Sequence, residues 1–430
     1  MVATAGKIGS QRPAIIDVMR RIFIFCLLLT ALWPYAGNAR VIEVCTDCAV
    51  SSITQAVALA HEGDTIIVQR AIYQENNIKV DKCLTLIGRG WPVVEGGNQS
   101  EVFSITAPGV EIEGFQIQNT GISQSQERAG IRIKNTTDFR VRRNRLFNTY
   151  FGIYLEYSRN GIIEDNYVKG EAVSETNSGN AVHAWYCKQI TVRGNSVYGH
   201  RDGIYFEFVD SSWISRNYSE GHVRYGLHFM FSNDDKYIDN TFRRNGSGVA
   251  VMFSKRIDMI ANHFDYNWGT AAYGLLLKEI YDATIAGNRF ERNTIGIFME
   301  GAARINYEDN TFANNGVTLK MMGGCLANHF TRNYFFSNTL DLVVEGNTND
   351  NTFDGNYWSE YTGYDLDRNG IGDVPHRPVK LFAYVMHRCP ESVVLLRSFF
   401  VDLLNLSEKI SPAFTPANVL DNKPLMRPVS

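Results

Sequence analysis

Residues 226–252 read Gly-Leu-His-Phe-Met-Phe-Ser-Asn-Asp-Asp-Lys-Tyr-Ile-Asp-Asn-Thr-Phe-Arg-Arg-Asn-Gly-Ser-Gly-Val-Ala-Val-Met, and they contain one complete repeat of the chain. The stretch opens on Gly226 with alternating residues, passes Asn240 and Phe242, and resumes the alternation at Gly248. Alternation of period two is the mark of a short strand. Outward from this repeat, the asparagine returns at Asn144, Asn166, Asn195, Asn217, Asn240, Asn262, Asn288, Asn310, Asn333 and Asn356. Most steps are 22 or 23 residues; the steps of 29 after Asn166 and 26 after Asn262 keep the phase on both sides, so they carry loops on an unchanged coil. Two residues after the asparagine an aromatic recurs at Phe242, Phe264, Phe290, Phe312, Phe335 and Trp358, a candidate interior stack.

A coil of this length matches one turn of a parallel β-helix, whose rungs bury their apolar sides only by stacking. The Leu-x-x-Leu-x-Leu frame of leucine-rich repeats is absent, and helical repeats need longer units with a 3.6-residue pattern. The expectation is an all-β, right-handed parallel β-helix, the hand following the usual crossover rule. Asparagine suits its turns because it tolerates left-handed backbone and because stacked amides link rung to rung. With 36 Gly, 44% hydrophobic and 12% aromatic residues the composition suits a large folded solenoid. A formal net charge of -3 lacks the basic excess of a nucleic-acid binder.

Before the repeats, Met19-Arg-Arg-Ile-Phe-Ile-Phe-Cys-Leu-Leu-Leu-Thr-Ala-Leu and Pro34-Tyr-Ala-Gly-Asn-Ala39 have the basic, apolar and small-residue regions of a secretory leader. The apolar run is well short of the roughly 20 residues a membrane span needs. Residues 1–39 are therefore read as a leader, with Met19 as start, and the mature chain is expected in the periplasm. Residues 40–358 are assigned to the β-helix with its N-terminal cap, and 359–430 to a C-terminal extension. Within the cap, Cys45-Thr-Asp-Cys48 reads as a local disulfide or exposed pair, with a redox or soft-metal role as the alternative, and residues 52–61 read as an amphipathic helix covering the first rung. In the extension, Asp365-Leu-Asp-Arg-Asn-Gly-Ile-Gly-Asp373 has the alternating carboxylates of a calcium loop, but His376 stands where an EF-hand needs Glu. Calcium is thus a candidate there, against a turn held by Asp side chains. Residues 391–410 read as a helix that either covers the open end or docks on a membrane partner.

Strand parity separates packing from chemistry. Counted from the small residue, positions one and three are apolar, as in Ile153 and Leu155 or Leu227 and Phe229, and face inward. Positions two and four then face solvent. Position two carries Tyr154, His183, Tyr205 and His228; position four carries Glu156, Trp185, Glu207, Met230, Met252, Lys278 and Glu300. Met230 and Met252 occupy equivalent places on adjacent rungs, with His228 two residues from Met230. Thioether and imidazole form a soft ligand set suited to Cu(I) and poorly suited to calcium or magnesium. His228, Met230 and Met252 are the candidate ligands and His183 an accessory one; a surface or protein-docking patch is the plain alternative. A carbohydrate-active enzyme of hydrolase, lyase or epimerase type is the competing class. There Tyr154, Trp185 and Tyr205 would stack on sugars, and Glu156, Glu207 and Glu300 would serve as acid and base.

Several stretches are more specific than a generic solenoid: Arg224-Tyr-Gly-Leu-His-Phe-Met-Phe-Ser-Asn-Asp234, Ala250-Val-Met-Phe-Ser-Lys-Arg-Ile257, Tyr273-Gly-Leu-Leu-Leu-Lys-Glu-Ile280, Asn356-Tyr-Trp-Ser-Glu-Tyr-Thr-Gly-Tyr-Asp-Leu-Asp367 and Pro424-Leu-Met-Arg-Pro428. In these the chain, from about residue 50 to its end, resembles the NosD family, periplasmic β-helix proteins of the nitrous oxide reductase maturation system. The resemblance implies a non-catalytic partner of an ABC transporter permease with its ATPase. It further implies a copper chaperone lipoprotein and nitrous oxide reductase as partners, with copper as cargo. It carries no ligand list, so His228, Met230, Met252 and His183 rest on parity and softness alone. Nor does it explain Cys45 and Cys48.

Overall fold

The computed structural model describes residues 4, 6, 39–122, 127–345, 350–395, 398–410 and 419–428; almost all of the leader, and residues 396 and 397 of the helix expected over 391–410, lie outside them. Val41–Ser430 form one compact unit. Its strands fall into three parallel sheets of 14, 12 and 13 strands, in which each strand pairs with its equivalents one coil earlier and later. This is an all-β parallel β-helix. The inward columns are dry: Ile153, Leu155, Ile204, Phe206, Leu227 and Phe229 are each 0% exposed. Burial of such a side chain contributes roughly 2 kcal/mol. The aromatic stack also forms, with Phe264 and Phe290 centroids 4.4 Å apart and Phe335 and Trp358 4.0 Å apart. A second stack joins Tyr307, Phe330 and Phe353 at 4.3 Å spacing.

The asparagine ladder works through its amide. The backbone N–H of Asn195 donates to Asn217 Oδ1 at 2.9 Å, Asn195 Nδ2 donates to the same oxygen at 3.0 Å, and Nδ2 also reaches Ile163 O at 2.9 Å. The same bonds repeat along the column, whose members from Asn144 to Asn356 are all 2% exposed or less. The expected left-handed backbone does not belong to these asparagines. It falls on the residue before each, as at Asp239 (φ 57), Ala261 (φ 56) and Asp309 (φ 54). Amide geometry, and not tolerance of positive φ, therefore selects Asn here. The two long steps run over surface loops, where Val173 and Trp268 are exposed.

At the N-terminal end the helix Ile53–Leu59 covers the first rung, burying Ile53, Ala56 and Val57. Ser52 Oγ accepts from Gln55 N at 3.1 Å, Glu75 accepts from Ile53 N and Thr54 N at 2.8 Å each, and Lys82 Nζ donates to Val57 O and Ala60 O at 2.9 Å. Both helix ends are thereby satisfied. Cys45 and Cys48 form a disulfide, and Cys83, Cys187, Cys325 and Cys389 are free.

The C-terminal extension is more divided than expected. Instead of one helix over 391–410 there are helices at Leu381–Arg388 and Phe399–Ile410 with a 3-10 turn at Pro390–Leu395 between them. The first packs on strand Leu340–Val344 and buries Phe382 and Ala383. The second packs on the first and leaves Phe399, Phe400, Leu403 and Leu406 exposed. The last rung is closed by the tail: Asp421 is 0% exposed against Asn356 and Trp358, and His376 lies 5.0 Å from the Trp358 ring.

Candidate metal centre

Position four forms a continuous column on the outer face of the 12-stranded sheet. Its register runs Glu156, Trp185, Glu207, Met230, Met252, Lys278, Glu300. Met230 and Met252 are direct partners across adjacent strands and are half-buried, whereas the intervening Phe229 and Val251 are fully enclosed. Parity thus directs both thioethers away from the interior stack. Their main chains stand about one rung, 4.8 Å, apart.

Position two departs from the expectation that it faces solvent. It points away from the lumen, yet His183 is only 9% and His228 only 6% exposed. The reason is aromatic packing on the outer face. Tyr154, His183, Tyr205 and His228 pack in sequence, tilted or edge to face, at centroid distances of 4.7, 4.8 and 4.8 Å, and Tyr225 closes on His228 at 4.8 Å. Tyr205 lies between the imidazoles: His228 stands two residues from Met230, whose partner is Met252, while His183 stands two coils below His228. Asn180 Nδ2 occupies His183 Nδ1 at 2.9 Å, a further reason to remove His183 from a shared centre.

Burial holds His228 well below the ordinary histidine range, at about 4, with nearby Asp202 opposing the shift and Arg224 reinforcing it. The imidazole is therefore neutral at neutral pH, the form in which it can ligate a metal. Its Nδ1 lies 3.4 Å from an Arg224 nitrogen, and its Nε2 is buried with no partner among the described residues. Arg224 is itself clamped to the fully buried Asp202 at 2.9 and 2.6 Å. With Arg224 donating to Nδ1, the proton sits on Nε2. Ligation through Nε2 requires the other tautomer and hence a shift of Arg224. Tyr205 connects the columns, its hydroxyl donating to Glu207 Oε2 at 3.1 Å and lying 4.0 Å from Met230 Sδ. The Arg224–Asp202 pair went unnoticed in the sequence because its members are 22 residues apart on neighbouring coils; in-register charges of opposite sign one repeat apart are the signal that would have found it.

Two of the three acid and base candidates for sugar chemistry, Glu156 and Glu300, are paired with cations, while Glu207 accepts from the Tyr205 hydroxyl. Burial raises Glu156, but Arg132 at 2.8 Å and Lys134 at 3.1 Å outweigh it, and the net pKa is below the ordinary glutamate value. Glu300 pairs with Lys278 at 3.3 Å. Glu156 is therefore not a carboxyl poised to give a proton at neutral pH. On another sheet His263, Asp265 and Glu291 lie within 4.8 Å of one another. Asp265 already holds Arg243 and Arg292, and Glu291 holds Arg289, so a hard cation would have to displace arginines.

Fold and face together define a parallel β-helix protein whose outer face carries one in-register pair of methionines. The family profile described as periplasmic copper-binding protein (NosD) matches residues 57–175 and 168–363. The chain belongs to the NosD family of periplasmic copper-binding proteins. It is 31% identical over 372 residues to the probable ABC transporter binding protein NosD of Pseudomonas aeruginosa, covering 82% of this chain and 86% of that one. It is 26% identical over 355 residues to the protein of the same description from Stutzerimonas stutzeri, covering 78% and 80%. Among solved structures it is similar to a PL6-family alginate lyase, AlyGC (TM-score 0.56, 13% identity, 79% of this chain and 54% of that one). It is also similar to the surface adhesin PfbA of Streptococcus pneumoniae (TM-score 0.54, 11% identity, 76% and 92%). The A-module of the Azotobacter vinelandii mannuronan C-5 epimerase AlgE6 has TM-score 0.52 at 17% identity, with 70% and 86% covered. At such identities these three establish the fold alone. No helix among the described residues is long and apolar enough to cross a membrane.

Proposed function

We propose that this chain is a non-catalytic periplasmic platform that accepts Cu(I) and hands it on for copper-centre assembly in nitrous oxide reductase, in association with an ABC-type transporter. The observation that carries this reading is the in-register pair Met230 and Met252 on the outer face, beside the neutral imidazole of His228. Two thioethers and one imidazole leave a Cu(I) ion open to a further ligand, which transfer requires: an incoming donor binds before an outgoing one leaves. Loading moves Arg224 off His228, while Asp202 keeps the guanidinium charge paired. In this reading His183 stays outside the shared centre, across Tyr205 and bonded to Asn180.

The permease with its ATPase, a copper chaperone lipoprotein and nitrous oxide reductase are the proposed partners. The exposed apolar side chains of the Phe399–Ile410 helix are the proposed tether to the permease. Purified chain loaded with Cu(I) should pass the ion to copper-free nitrous oxide reductase only when the transporter and ATP are present. Transfer at the same rate without the transporter would remove it from the pathway. Incubation with alginate and pectin should yield no shortened or unsaturated products; their appearance would restore the enzyme class.

A further inference from the structure

The turn that follows the methionine column carries five aromatic rings in a row: Tyr157, Tyr186, Phe208, Phe231 and Phe253. Each directly follows a position-four residue, so Phe231 adjoins Met230 and Phe253 adjoins Met252. Successive centroids are 5.4, 4.5, 5.1 and 5.1 Å apart, with interplanar angles of 17°, 15°, 8° and 15°. All five are exposed, from 36% at Phe208 to 48% at Tyr157. All five also have left-handed backbone, with φ between 48 and 54.

The turn itself does not call for aromatics. On the rungs just below and just above, the same position is filled by Asn135 (φ 52) and Glu279 (φ 53). A bulky residue in this conformation is strained, and stacking does little more than offset that strain. Stability therefore gives little reason for five exposed rings, yet they span the same coils as Glu156 through Met252. Because the inner rings have both faces used by neighbours, the stack presents mainly ring edges. Sugar rings stack on faces, whereas thioether sulfur and aliphatic groups pack well on edges. Beside the rings runs a second column reading Arg159, Lys188, Asp210, Asn233 and Lys255, three exposed cations to one carboxylate, and its lower end borders, with Tyr157, Tyr186 and Phe208, a shallow groove of about 600 Å³.

We propose that this aromatic ladder is the docking strip for the protein that delivers the metal, a partner whose contact ridge is apolar and thioether-bearing and is bordered by carboxylates. Seated along the strip, such a partner brings its own ion onto Met230 and Met252, one residue away from the rings. The cations beside the rings steer its acidic border. The inference rests on the Cu(I)-handling reading, and the test separates the two.

Phe208→Asn and Phe231→Asn, singly and together, keep the turn, since Asn135 already occupies it. Cu(I) would be offered in two forms, as a bathocuproine-type chelate and bound to the soluble domain of the copper chaperone lipoprotein, and uptake followed by stopped flow. The variants should take Cu(I) from the chelate with affinity within about twofold of wild type, while uptake from the protein donor slows by about tenfold or more, as expected for lost aromatic anchors. Lys188→Glu should slow the protein-donor step further and flatten its salt dependence. Unchanged uptake from the protein donor overturns the proposal. So does a wild-type chain that loads from the chelate but never from the protein, which leaves the Cu(I) reading intact. A wild-type chain that loads from neither defeats that reading and this one with it. Self-association of wild type that the Asn variants lose, seen by sedimentation, would assign the strip to a second copy and also overturn it.

Discussion

Asp421 takes the place of the next asparagine above Asn356. Its Oδ2 accepts from Asn356 N and Asn356 Nδ2 at 3.0 Å each, the two bonds that every lower rung receives from an asparagine one coil on. The same carboxylate accepts from Gly355 N at 3.2 Å and from Trp358 Nε1 at 3.0 Å, so one residue of the tail satisfies the donors of the last rung. The ladder ends without orphaned groups because the chain returns to close it.

Removing that closure should be costly. Asp421→Ala leaves several buried donors unpaired at roughly 1–3 kcal/mol each, so a loss of about 3 kcal/mol or more in urea unfolding is expected. Asp421→Asn keeps the oxygen that a ladder asparagine supplies and should lie between the two. Equal stability of the Ala variant and wild type would show that the tail does not hold the end.

A second ladder begins on histidine. His200 N donates to His222 Nδ1 at 3.1 Å and His222 N to Asn245 Oδ1 at 3.0 Å, so the imidazole nitrogen stands in for the amide oxygen of the later rungs. Burial pushes His200 down to about 3 and His222 down to about 4. Unfolded histidine titrates near 6.5, so on acidification the unfolded chain takes up protons first. Stability from these groups is complete above about pH 6.5 and is lost as pH falls toward the folded values. Thermal melts should show a smaller drop between pH 7 and pH 5 for His222→Asn than for wild type; an identical drop would remove His222 from the acid response.

The exposed side of the Phe399–Ile410 helix makes a separate expectation. Phe399→Ser with Leu403→Ser should leave the melting temperature of the β-helix unchanged and weaken association with the reconstituted transporter by about tenfold or more. Full binding by this variant would place the tether elsewhere.

The acidic loop already uses its carboxylates on the main chain. Asp365 accepts from Asn369 N and Gly370 N at 3.1 and 2.9 Å, and Asp373 accepts from Leu366 N at 2.7 Å. Titration of the metal-stripped protein with calcium should release no heat and leave the melting temperature unchanged. A saturable signal with added stability would establish a calcium site at Asp365, Asp367 and Asp373.

How far the sequence could be read depended on whether a feature repeats. The period of the asparagines, the inward columns and the pairing of Met230 with Met252 all follow from register, which repetition displays. The burial of His228 and His183 did not, because it comes from Tyr205 and Tyr225 packing on the outer face, and parity assigns a side without saying what else lies there. Asp421 was unreadable for the opposite reason: it follows the repeats by 65 residues and performs an asparagine's task with a different side chain. The left-handed position was misplaced by one residue because the amide's bonding and the backbone's bend are carried by neighbours.

The most direct test of the metal face is a Cu(I) competition titration of wild type against Met230→Ala, Met252→Ala and the double variant. Loss of one thioether should weaken binding by about tenfold and loss of both by considerably more, as for the removal of direct soft ligands. Wild-type affinity in the double variant would contradict the assignment of these sulfurs as the place where the ion is held.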